Sequence, residues 1–380
     1  MRPRRSVLPA TGLALGLLLA IALSACQPAE PEIREVRVVE TQEVQVVQTQ
    51  QVQVPVELQM ESARLQAVKD SGAVRCGVNS GVPGFGFLNE LGEFVGFDID
   101  FCRALAAAIF NDPNAVEYRP LTAAERFTAL QTNEIDVLIR NTTWTLIRDV
   151  ELGTDFGPTT FYDGQGMMVR RDSGFTSLDD MGGATICVLT GTTTEGNLAD
   201  AFNERGLTYE PLVFATSDET RVAYGEGRCD GLTSDKSQLT GLRTALDVPA
   251  DHIILPEAMS KEPLGPVWVH GDQQWGDVVR WVVNAIILAE EKGITSENVD
   301  EIVASDPQDA EVRRLLGIEG DFATLLGLSP DFVVNVIRAV GNYGEIYDRH
   351  LGPSGTDIPR EGTQNALWTE GGQIYAYPWK

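Results

Sequence analysis

The sequence predicts an α/β protein of two similar lobes, each a mainly parallel sheet flanked by helices. Strand-like and helix-like segments alternate between residues 74 and 139, and such alternation is typical of a parallel sheet. The same order of elements restarts near residue 184 and continues to residue 233. The part from about residue 60 to residue 380 also exceeds the usual single domain of about 100 to 200 residues, so we expect two lobes.

The first repeat contains a glycine-rich loop at residues 81–86 and a turn at residues 89–92. Its expected regular elements are strands 74–78, 117–121 and 135–139, with helices from about residue 98 and over 123–131. Asp98 or Asp100 is expected to cap the first of these helices. One apolar face of that helix then carries Phe101, Cys102, Leu105 and Ile109.

The second repeat has the same order of elements. Its expected elements are strands 184–189, 209–214 and 231–233, a turn 191–193, and helices from Thr194 and near 219–224. The chain is expected to enter this lobe after residues 162–165 and to return near residues 261–266. The predicted divisions are therefore lobe 1 over 61–164, lobe 2 over 165–262, and a return to lobe 1 with a helical extension over 263–380. Two crossing segments form a hinge, so we expect the lobes to close over a ligand.

The segment after residue 268 is expected to pack on lobe 1. Apolar residues recur there at the spacing of one helix face, and the predicted core positions are Val278, Trp281, Val282, Ala285, Ile286 and Ala289.

Residues 1–26 predict a lipoprotein signal peptide. Three arginines precede an apolar run over 13–23, which is too short to span a bilayer comfortably, and Leu23-Ser24-Ala25-Cys26 follows. Resemblance to bacterial lipoproteins implies that Cys26 is acylated and becomes the first mature residue. The mature chain would then lie outside the cytoplasm, anchored to a membrane face. An ordinary secretory peptide or a membrane anchor, with Cys26 present by chance, is the alternative.

Residues 27–60 are expected to form an extended tether. The stretch from residue 27 to 59 has no glycine and no aromatic residue, and it repeats Val, Gln and Glu. An isolated alternating segment with no partner strand is expected to stay extended. A short coiled coil is the alternative, because the heptad positions are only partly satisfied by Val36, Val39, Glu43, Val46 and Gln50.

The charge of the chain excludes several classes of partner. It carries 29 Lys+Arg against 55 Asp+Glu, a formal net charge of −26, and such a surface repels nucleic acid and anionic lipid headgroups. With 3 histidines and no metal-type His/Cys spacing, no metal or cofactor is expected. The sequence also lacks a Walker-type loop and a Gly-x-Ser-x-Gly elbow.

Four cysteines remain if Cys26 is lipidated. They fall two and two into the predicted lobes, so Cys76–Cys102 and Cys187–Cys229 are the expected disulfides in an oxidising compartment. Four buried free thiols are the alternative.

Ligands of open α/β sheets bind beyond the carboxyl ends of the strands. In the first repeat those ends are residues 79–87 and 140–145, with Arg148 beyond, and in the second they are residues 190–193 and 234–235. An arginine pairs bidentately with a carboxylate, a helix N-terminus reinforces the anion, and Asp235 offers the charge that an ammonium needs. This set is complementary to an α-amino acid zwitterion.

Several motifs then resemble a known family. The segments 95–100, 140–148, 191–195 and 233–237 resemble, in order and spacing, the polar amino acid-binding proteins of ABC importers, which are bilobed type II substrate-binding proteins. The resemblance runs from about Leu65 to the end of the chain. Similarity to the longer subgroup of general L-amino acid-binding proteins is carried by 141–145, 162–166, 261–266, 341–345 and 365–368.

The resemblance implies how the ligand is held. It places the α-carboxylate on Arg148, Thr143 and the helix start at Thr192 and Thr193. It places the α-ammonium on Asp235, helped by backbone carbonyl near Asn141. The alternatives are a surface Arg148 paired with Asp149 or Glu151, an ion pair between Asp235 and Lys236, and threonines that only cap a helix.

The pocket for the ligand side chain is expected to involve Asn79, Phe85, Trp144 and Thr194, each of which could instead be packing. Many smaller relatives have an acidic residue and an aromatic residue where this chain has Asn79 and Val82. That difference argues against a strong preference for cationic amino acids.

The expected protein is a monomeric, anchored binding protein that captures L-amino acids and presents them to an ABC permease, without chemistry of its own. A dehydratase-like periplasmic enzyme on the same fold would need a general acid or base in the cleft. A module that reports ligand to a membrane receptor is the third possibility. The extension over 299–351, including the loop 320–328, could contact the transporter or be decoration.

Overall fold

The computed structural model describes residues 62–380. The predicted signal peptide, the lipidation site at Cys26 and the predicted tether lie outside the described residues. Within residues 62–380 no helix is both long enough and apolar enough to cross a membrane.

The first part of the chain forms three helices and eight strands between residues 62 and 163. In chain order they are α1 (Ala63–Ser71), β1 (Val74–Val78), β2 (Gly81–Val82), β3 (Gly86–Leu88), β4 (Phe94–Val95), α2 (Phe97–Phe110), β5 (Val116–Pro120), α3 (Arg126–Gln131), β6 (Val137–Leu138), β7 (Thr154–Phe156) and β8 (Phe161–Asp163). A single π-helical turn, Ile147–Glu151, precedes β7.

The middle part forms five strands and three helices. They are β9 (Gln165–Arg170), β10 (Thr185–Leu189), α4 (Thr193–Glu204), β11 (Glu210–Phe214), α5 (Ser217–Gly225), β12 (Gly231–Asp235), α6 (Lys236–Thr244) and β13 (His252–Ile254). The strands and helices expected of the second repeat are all present, with bounds that differ by a few residues.

The last part is mainly helical. It contains β14 (Glu262–Leu264), β15 (Val267–Val269), α7 (Gln273–Glu291), α8 (Val299–Ala304), α9 (Ala310–Leu315), α10 (Phe322–Leu325), α11 (Phe332–Val340) and α12 (Tyr343–His350).

Two five-stranded sheets define the two lobes. Lobe 1 has the strand order β5-β1-β6-β15-β7 and lobe 2 the order β11-β10-β12-β9-β13. In each sheet one strand, β15 or β9, runs antiparallel to its neighbours, and the others run parallel. The prediction of two similar, mainly parallel sheets is therefore confirmed. The antiparallel strand is in each case the one that the chain forms soon after it leaves the other sheet.

The two passages between the sheets lie side by side. Strand β8, which leads out of lobe 1, pairs antiparallel with β14, which leads back, and Asp163 lies opposite Glu262 in this pair. Both residues therefore lie where the lobes meet.

The start of helix α2 differs from the sequence prediction. Gly96 is the N-cap, and no side chain caps the helix. An added Cβ at Gly96, whose φ is 140°, would lie 2.1 Å from the Phe85 carbonyl oxygen, so only glycine fits this close approach. The expectation that Asp98 or Asp100 caps the helix is therefore wrong. Both carboxylates are buried and bind other elements instead.

Each lobe contains one disulfide, as the cysteine distribution predicts. Cys76 on β1 is bonded to Cys102 on α2, with Cα atoms 6.1 Å apart. Cys187 on β10 is bonded to Cys229, just before the adjacent strand β12, with Cα atoms 5.6 Å apart. Each bond therefore ties elements within one lobe, and the alternative of four free thiols is wrong.

The C-terminal helices complete the core of lobe 1. Five of the six positions predicted as core on α7 are buried, and Trp281 packs partly buried against the same cluster. Helices α11 and α12 also pack on α2 and α7, with Phe332, Ile337 and Tyr347 fully covered. Much of the extension over 299–351 is therefore structural, and Leu325 on α10 is an apolar residue that it leaves exposed.

Candidate functional site

The strand ends of both lobes meet at one small cavity of about 20 Å³. Lobe 1 and lobe 2 both contribute to its lining, which consists of Arg126, Arg140, Asn141, Thr143, Leu189, Thr192, Thr193, Thr194, Ser234, Asp235 and Gln238. The position beyond the carboxyl ends of the strands agrees with the general location of ligands in open α/β sheets. A space of that size holds about one water molecule, so the two lobes are closed around it.

Asp235 is a buried carboxylate with no partner among the described residues. It ends strand β12 and precedes helix α6, and it is 6% exposed. No described side chain forms a salt bridge with it, and Lys236 instead donates a hydrogen bond to the Pro256 carbonyl oxygen at 2.7 Å. The alternative of an Asp235–Lys236 ion pair is therefore wrong.

The surroundings of Asp235 disfavour its ionised form. Burial is the main cause that raises the pKa of Asp235 well above its ordinary value, and the charges of Asp163 and Glu262 add to the effect. Arg126 and Arg148 act in the opposite direction. A cation placed against Asp235 would therefore relieve both the desolvation and the repulsion between like charges.

Asp163 and Glu262, in contrast, are hydrogen-bonded. Asp163 accepts from the hydroxyl and the backbone N–H of Ser237 and from the Gly164 N–H, although burial still raises the pKa of Asp163 to about 6. Glu262 accepts from Thr193 Oγ1 at 3.0 Å and Asn197 Nδ2 at 2.8 Å. These two carboxylates hold the passages to lobe 2 in place, which leaves Asp235 as the carboxylate that lines the cavity.

Arg126 lies across the cavity from lobe 2 and is the first residue of α3. It is 3% exposed, and its Nε has no hydrogen-bond partner among the described residues. Its Nη1 donates to Thr142 Oγ1 at 3.3 Å, and no described carboxylate forms a salt bridge with it. Burial lowers the pKa of Arg126 well below its ordinary value, and the nearby Arg148 and Arg140 lower it further.

Arg140 has partners within lobe 1. Its Nε donates to the Leu121 carbonyl oxygen at 2.8 Å. Burial lowers the pKa of Arg140 to about 10, while the charge of Asp98 opposes the shift. Asp98 accepts the Asn141 N–H at 2.6 Å, and burial raises its pKa to about 7. Arg140 therefore lines the cavity with the charge of Asp98 nearby, although no salt bridge joins the two in the described chain.

Asn141 adopts a left-handed conformation with φ of 32°, which is strained for a residue with a side chain. Its backbone N–H is directed to Asp98, and its side chain accepts from Asn79 Nδ2 at 3.2 Å. Its own Nδ2 donates to Gln238 Oε1 of lobe 2 at 3.0 Å. Asn141 therefore connects the two lobes at the cavity.

Arg148 is buried in the π-helical turn, beside the cavity rather than in its lining. Its Nη1 donates to the carbonyl oxygen of Thr143 at 2.9 Å, and its guanidinium lies 5.3 Å from the centre of the Phe127 ring. Burial lowers the pKa of Arg148, while the charges of Glu262 and Asp235 oppose this. A surface ion pair of Arg148 with Asp149 or Glu151 is not present, so that alternative is wrong.

Lobe 2 presents the start of helix α4 to the cavity. Thr192 is the N-cap, but its hydroxyl donates to the Leu189 carbonyl oxygen at 2.6 Å instead of capping the helix. The hydroxyl oxygens of Thr192 and Thr194 are 2.6 Å apart and share a hydrogen bond. The backbone N–H groups of the first helical turn have no partners within the helix, so this end favours an anion.

The structure brings six of the nine predicted ligand-binding residues together in the lining of the cavity, namely Asn141, Thr143, Thr192, Thr193, Thr194 and Asp235. Asn79 is buried just behind Asn141. Trp144 is 43% exposed, stacks on Phe156 at 5.5 Å and donates to Asp149. Phe85, also named for the side-chain pocket, is buried edge-on against Phe97 and Phe161 in the core of lobe 1.

One surface group has the composition of a metal site. Asp149, Asp155 and His270 could bring three ligand atoms within 4.8 Å of one another. None of the three lines the cavity, and exposed acidic groups of this kind are common without a metal.

Arg126, Arg140 and Gln238 line the cavity but were not predicted from the sequence to bind the ligand. A signal for Arg126 existed, because it begins a helix that directly follows a strand and therefore lies at the ligand-binding edge of the sheet. A cation is also unfavourable at a helix N-terminus. Such a conflict between local preference and position often marks a functional residue.

The chain matches a family model over residues 74–353, the model of the bacterial extracellular solute-binding proteins, family 3. The protein belongs to this family. The match covers most of both lobes, and the predicted resemblance and type II binding-protein fold are confirmed.

Similar proteins include two named binding proteins and one solved structure. The "General L-amino acid-binding periplasmic protein AapJ" of Rhizobium johnstonii is 52% identical over 316 residues, which are 83% of this chain and 92% of the relative. The "Glutamate/glutamine/aspartate/asparagine-binding protein BztA" of Rhodobacter capsulatus is 48% identical over 319 residues, 84% of this chain and 94% of the relative.

The solved structure is an ABC transporter periplasmic binding protein from Brucella ovis with glutathione bound. It is 50% identical, has a TM-score of 0.80, and the match covers 83% of this chain and 99% of that chain. Together with the family model, these similarities identify the protein as an extracytoplasmic solute-binding protein.

Proposed function

We propose that the protein captures L-amino acids outside the cytoplasm and delivers them to the permease of an ABC transporter. The observation that carries the proposal is Asp235 of lobe 2, a buried carboxylate without a partner among the described residues, in the same cavity as Arg126 of lobe 1, whose buried guanidinium forms no salt bridge with any described residue. Unpaired charges of opposite sign on the two sides of one small cavity are complementary to a zwitterion. The names of AapJ and BztA describe amino acid-binding proteins of this kind.

The proposed clamp assigns one charge of the ligand to each lobe. Asp235 binds the α-ammonium. Arg148 with Thr143 in lobe 1, and the helix start at Thr192 and Thr193 in lobe 2, bind the α-carboxylate. Asn141 orients this arrangement through its bonds to both lobes. Asn79 and Thr194 contribute to the surroundings of the ligand side chain. Trp144 stacks on Phe156 outside the cavity and supports the cavity wall from that side.

Closure follows from the two passages between the lobes. We propose that β8 and β14 form a hinge between lobe 1, at 61–164 and 263–380, and lobe 2, at 165–262. The protein acts as a monomer, held to a membrane face through acylated Cys26 and an extended tether over 27–60. The closed, ligand-loaded form is the one that the permease recognises.

Asp235 could serve either as the partner of a bound ammonium or as a general base, and we propose the first role. A general base would suit the raised pKa of Asp235, so the dehydratase-like alternative makes a definite prediction of turnover. An ammonium bound at Asp235 would instead keep the carboxylate ionised and inert.

The test is Asp235→Asn, with isothermal titration calorimetry of several L-amino acids and of glutathione. Loss of one partner of a desolvated charge pair typically costs about 2 to 5 kcal/mol, so we expect affinity to fall about 30-fold or more for every amino acid ligand. Asp200→Asn, an exposed position on α4 of the same lobe, is the matched control and should bind like the parent. Equal binding by Asp235→Asn, or consumption of any ligand by the parent protein, would contradict the proposal.

A further inference from the structure

Strand β14 contacts both parts of the proposed carboxylate site. The proposed clamp, on which this inference rests, holds the α-carboxylate with Arg148 and Thr143 in lobe 1 and with the start of helix α4 in lobe 2. Because these parts belong to different lobes, their separation depends on how the lobes meet. β14 is one of the two paired strands through which the chain passes between the lobes.

The backbone of β14 is bound to the lobe 1 part of the site. Leu264 forms an antiparallel bridge with Thr143, and the Trp144 N–H donates to the Pro263 carbonyl oxygen at 2.9 Å. The Thr143 carbonyl oxygen in turn accepts the hydrogen bond from Arg148 Nη1 at 2.9 Å. The lobe 1 donors are therefore tied directly to β14.

The side chain of Glu262, the first residue of β14, reaches the lobe 2 part of the site. It is buried, and its Oε2 accepts from Thr193 Oγ1 at 3.0 Å while its Oε1 accepts from Asn197 Nδ2 at 2.8 Å. Thr193 and Asn197 are four residues apart on α4, so they lie on one face of its first turn. Ser260 Oγ also donates to Oε1, at 2.5 Å. The carboxylate therefore joins β14 to the first turn of α4.

This arrangement uses both oxygens of the Glu262 carboxylate as acceptors. A glutamine would keep one acceptor and put a donor group in place of the other. Glu262 is not part of the cavity lining, and a negative charge in contact with a bound carboxylate would repel it. Its position therefore points to a role through α4 rather than through contact with the ligand.

We infer that Glu262 is a positioning residue for the α-carboxylate of the ligand. It holds the first turn of α4 at a fixed distance from Thr143 and Arg148 when the lobes are closed, so that one carboxylate reaches the donors of both lobes.

The experiment is isothermal titration calorimetry of the full-length protein with L-glutamine and with L-glutaminamide, in which a neutral amide replaces the α-carboxylate. L-alanine and L-alaninamide form a second pair with the same difference. In Glu262→Gln, affinity for the two amino acids should fall about tenfold, since hydrogen bonds to a charged group are lost. Affinity for the two α-amides should change about threefold or less, because they make little use of the anion site.

A double-mutant cycle with Asn197 measures the same link from the helix side. Asn197→Ala removes one of the donors to Glu262, so it should also weaken amino acid binding. If both residues act through one contact, the double variant should lose little more affinity than Glu262→Gln alone.

Two further variants complete the design. Glu262→Asp keeps the charge but is one methylene shorter, so it should not reach α4 and should bind amino acids about as weakly as Glu262→Gln. Glu257→Gln is the control, because Glu257 is a partly buried carboxylate nearby whose Oε1 accepts the Leu178 N–H at 3.1 Å in lobe 2. It should bind like the parent.

The outcomes separate this inference from the proposed function. An equal loss for amino acids and α-amides in Glu262→Gln would mean that Glu262 acts on closure as a whole, and it would overturn the inference while leaving amino acid capture intact. Additive losses in the double variant would also overturn it. A Glu262→Asp variant that binds like the parent would show that only the charge matters. If the parent binds no amino acid, the proposed function itself fails.

Discussion

The contact between Gly241 and Pro83 offers a way to block closure without touching the ligand site. Gly241 lies on helix α6 of lobe 2, and Pro83 follows β2 of lobe 1. A Cβ added at Gly241 would lie 2.3 Å from the Pro83 carbonyl oxygen and 3.2 Å from its carbonyl carbon. The oxygen belongs to the backbone, so the clash is relieved only if one lobe moves away from the other. Gly241→Ala should therefore oppose the closed state.

The magnitude follows from packing and from linkage. Adding a methyl group to a tightly packed contact typically costs about 1 to 3 kcal/mol. Because the cost applies to the closed form, it should appear as a loss of apparent affinity of about 5-fold to about 150-fold. The loss should be equal for all ligands, since the ligand contacts are unchanged. The stability of the open form should not decrease, because alanine favours an α-helix over glycine by about 0.5 to 1 kcal/mol.

Calorimetry with several amino acids measures the affinity, and small-angle X-ray scattering measures the compaction that the ligand induces. Gly196→Ala is the control, because Gly196 is also on a helix of lobe 2 and an added Cβ there has no neighbour within 4 Å. Unchanged affinity in Gly241→Ala, or a loss confined to one ligand, would refute the idea that closure brings these surfaces together. A lower melting temperature of the empty variant would show that the damage is within lobe 2 instead.

Three other predictions use different observations. Burial and neighbouring acids raise the pKa of Asp235 in the empty folded protein, so ionisation of Asp235 should oppose folding once the pH exceeds the ordinary pKa of an aspartate. Asp235→Asn should therefore raise the melting temperature of the empty protein at neutral pH, as measured by differential scanning calorimetry. A lower melting temperature would contradict this. Ammonium binding requires ionised Asp235, so affinity should fall as the pH is lowered and protons should be released on binding. Calorimetry in buffers of different ionisation enthalpy measures that release, and Asp163→Asn, which removes a like charge beside Asp235, should reduce it. Cys26→Ser should release the protein from the membrane fraction on immunoblots; retention on the membrane with an uncleaved signal would refute lipidation.

Most of the fold was predictable because its local signals agree with one another. Alternating strands and helices at 74–139 and 184–233 specify parallel sheets, and both sheets formed as expected. The start of α2 was not predictable, because Asp98 resembles an N-cap in sequence yet binds the distant Asn141 backbone. A capping preference describes local contacts, whereas the position of Asn141 depends on how β1 and β6 pair.

Site residues that follow the end of a strand could be predicted from the sequence. Residues that belong to the site because the fold buries them there could not. Asp235 and the threonines at the start of α4 follow directly from the end of a strand. Arg126 follows Glu125 and resembles a surface residue in the sequence, but the folded chain buries it in the lining of the cavity. Trp144 illustrates the reverse case, because an aromatic residue inside a family motif is half-exposed and stacks outside the cavity.

The distribution of charge between the lobes gives the ligand a definite role in closure. Each lobe is braced internally by its own disulfide, and the described chain passes between the sheets through the paired strands β8 and β14, so motion between the lobes need not disturb either one. Closing the empty cleft buries Asp235 and Arg126 without a salt bridge between them or to any other described residue, and a buried charge without a paired partner costs several kcal/mol. A zwitterion brings its ammonium to Asp235 and its carboxylate to the arginine side of the cavity at once, and it removes that cost only in the closed form. Since a ligand shifts a conformational equilibrium by its difference in affinity for the two states, the charges that recognise the amino acid are the same ones that keep the empty protein from closing. The permease can therefore distinguish the loaded protein from the empty one by shape, without contacting the amino acid itself.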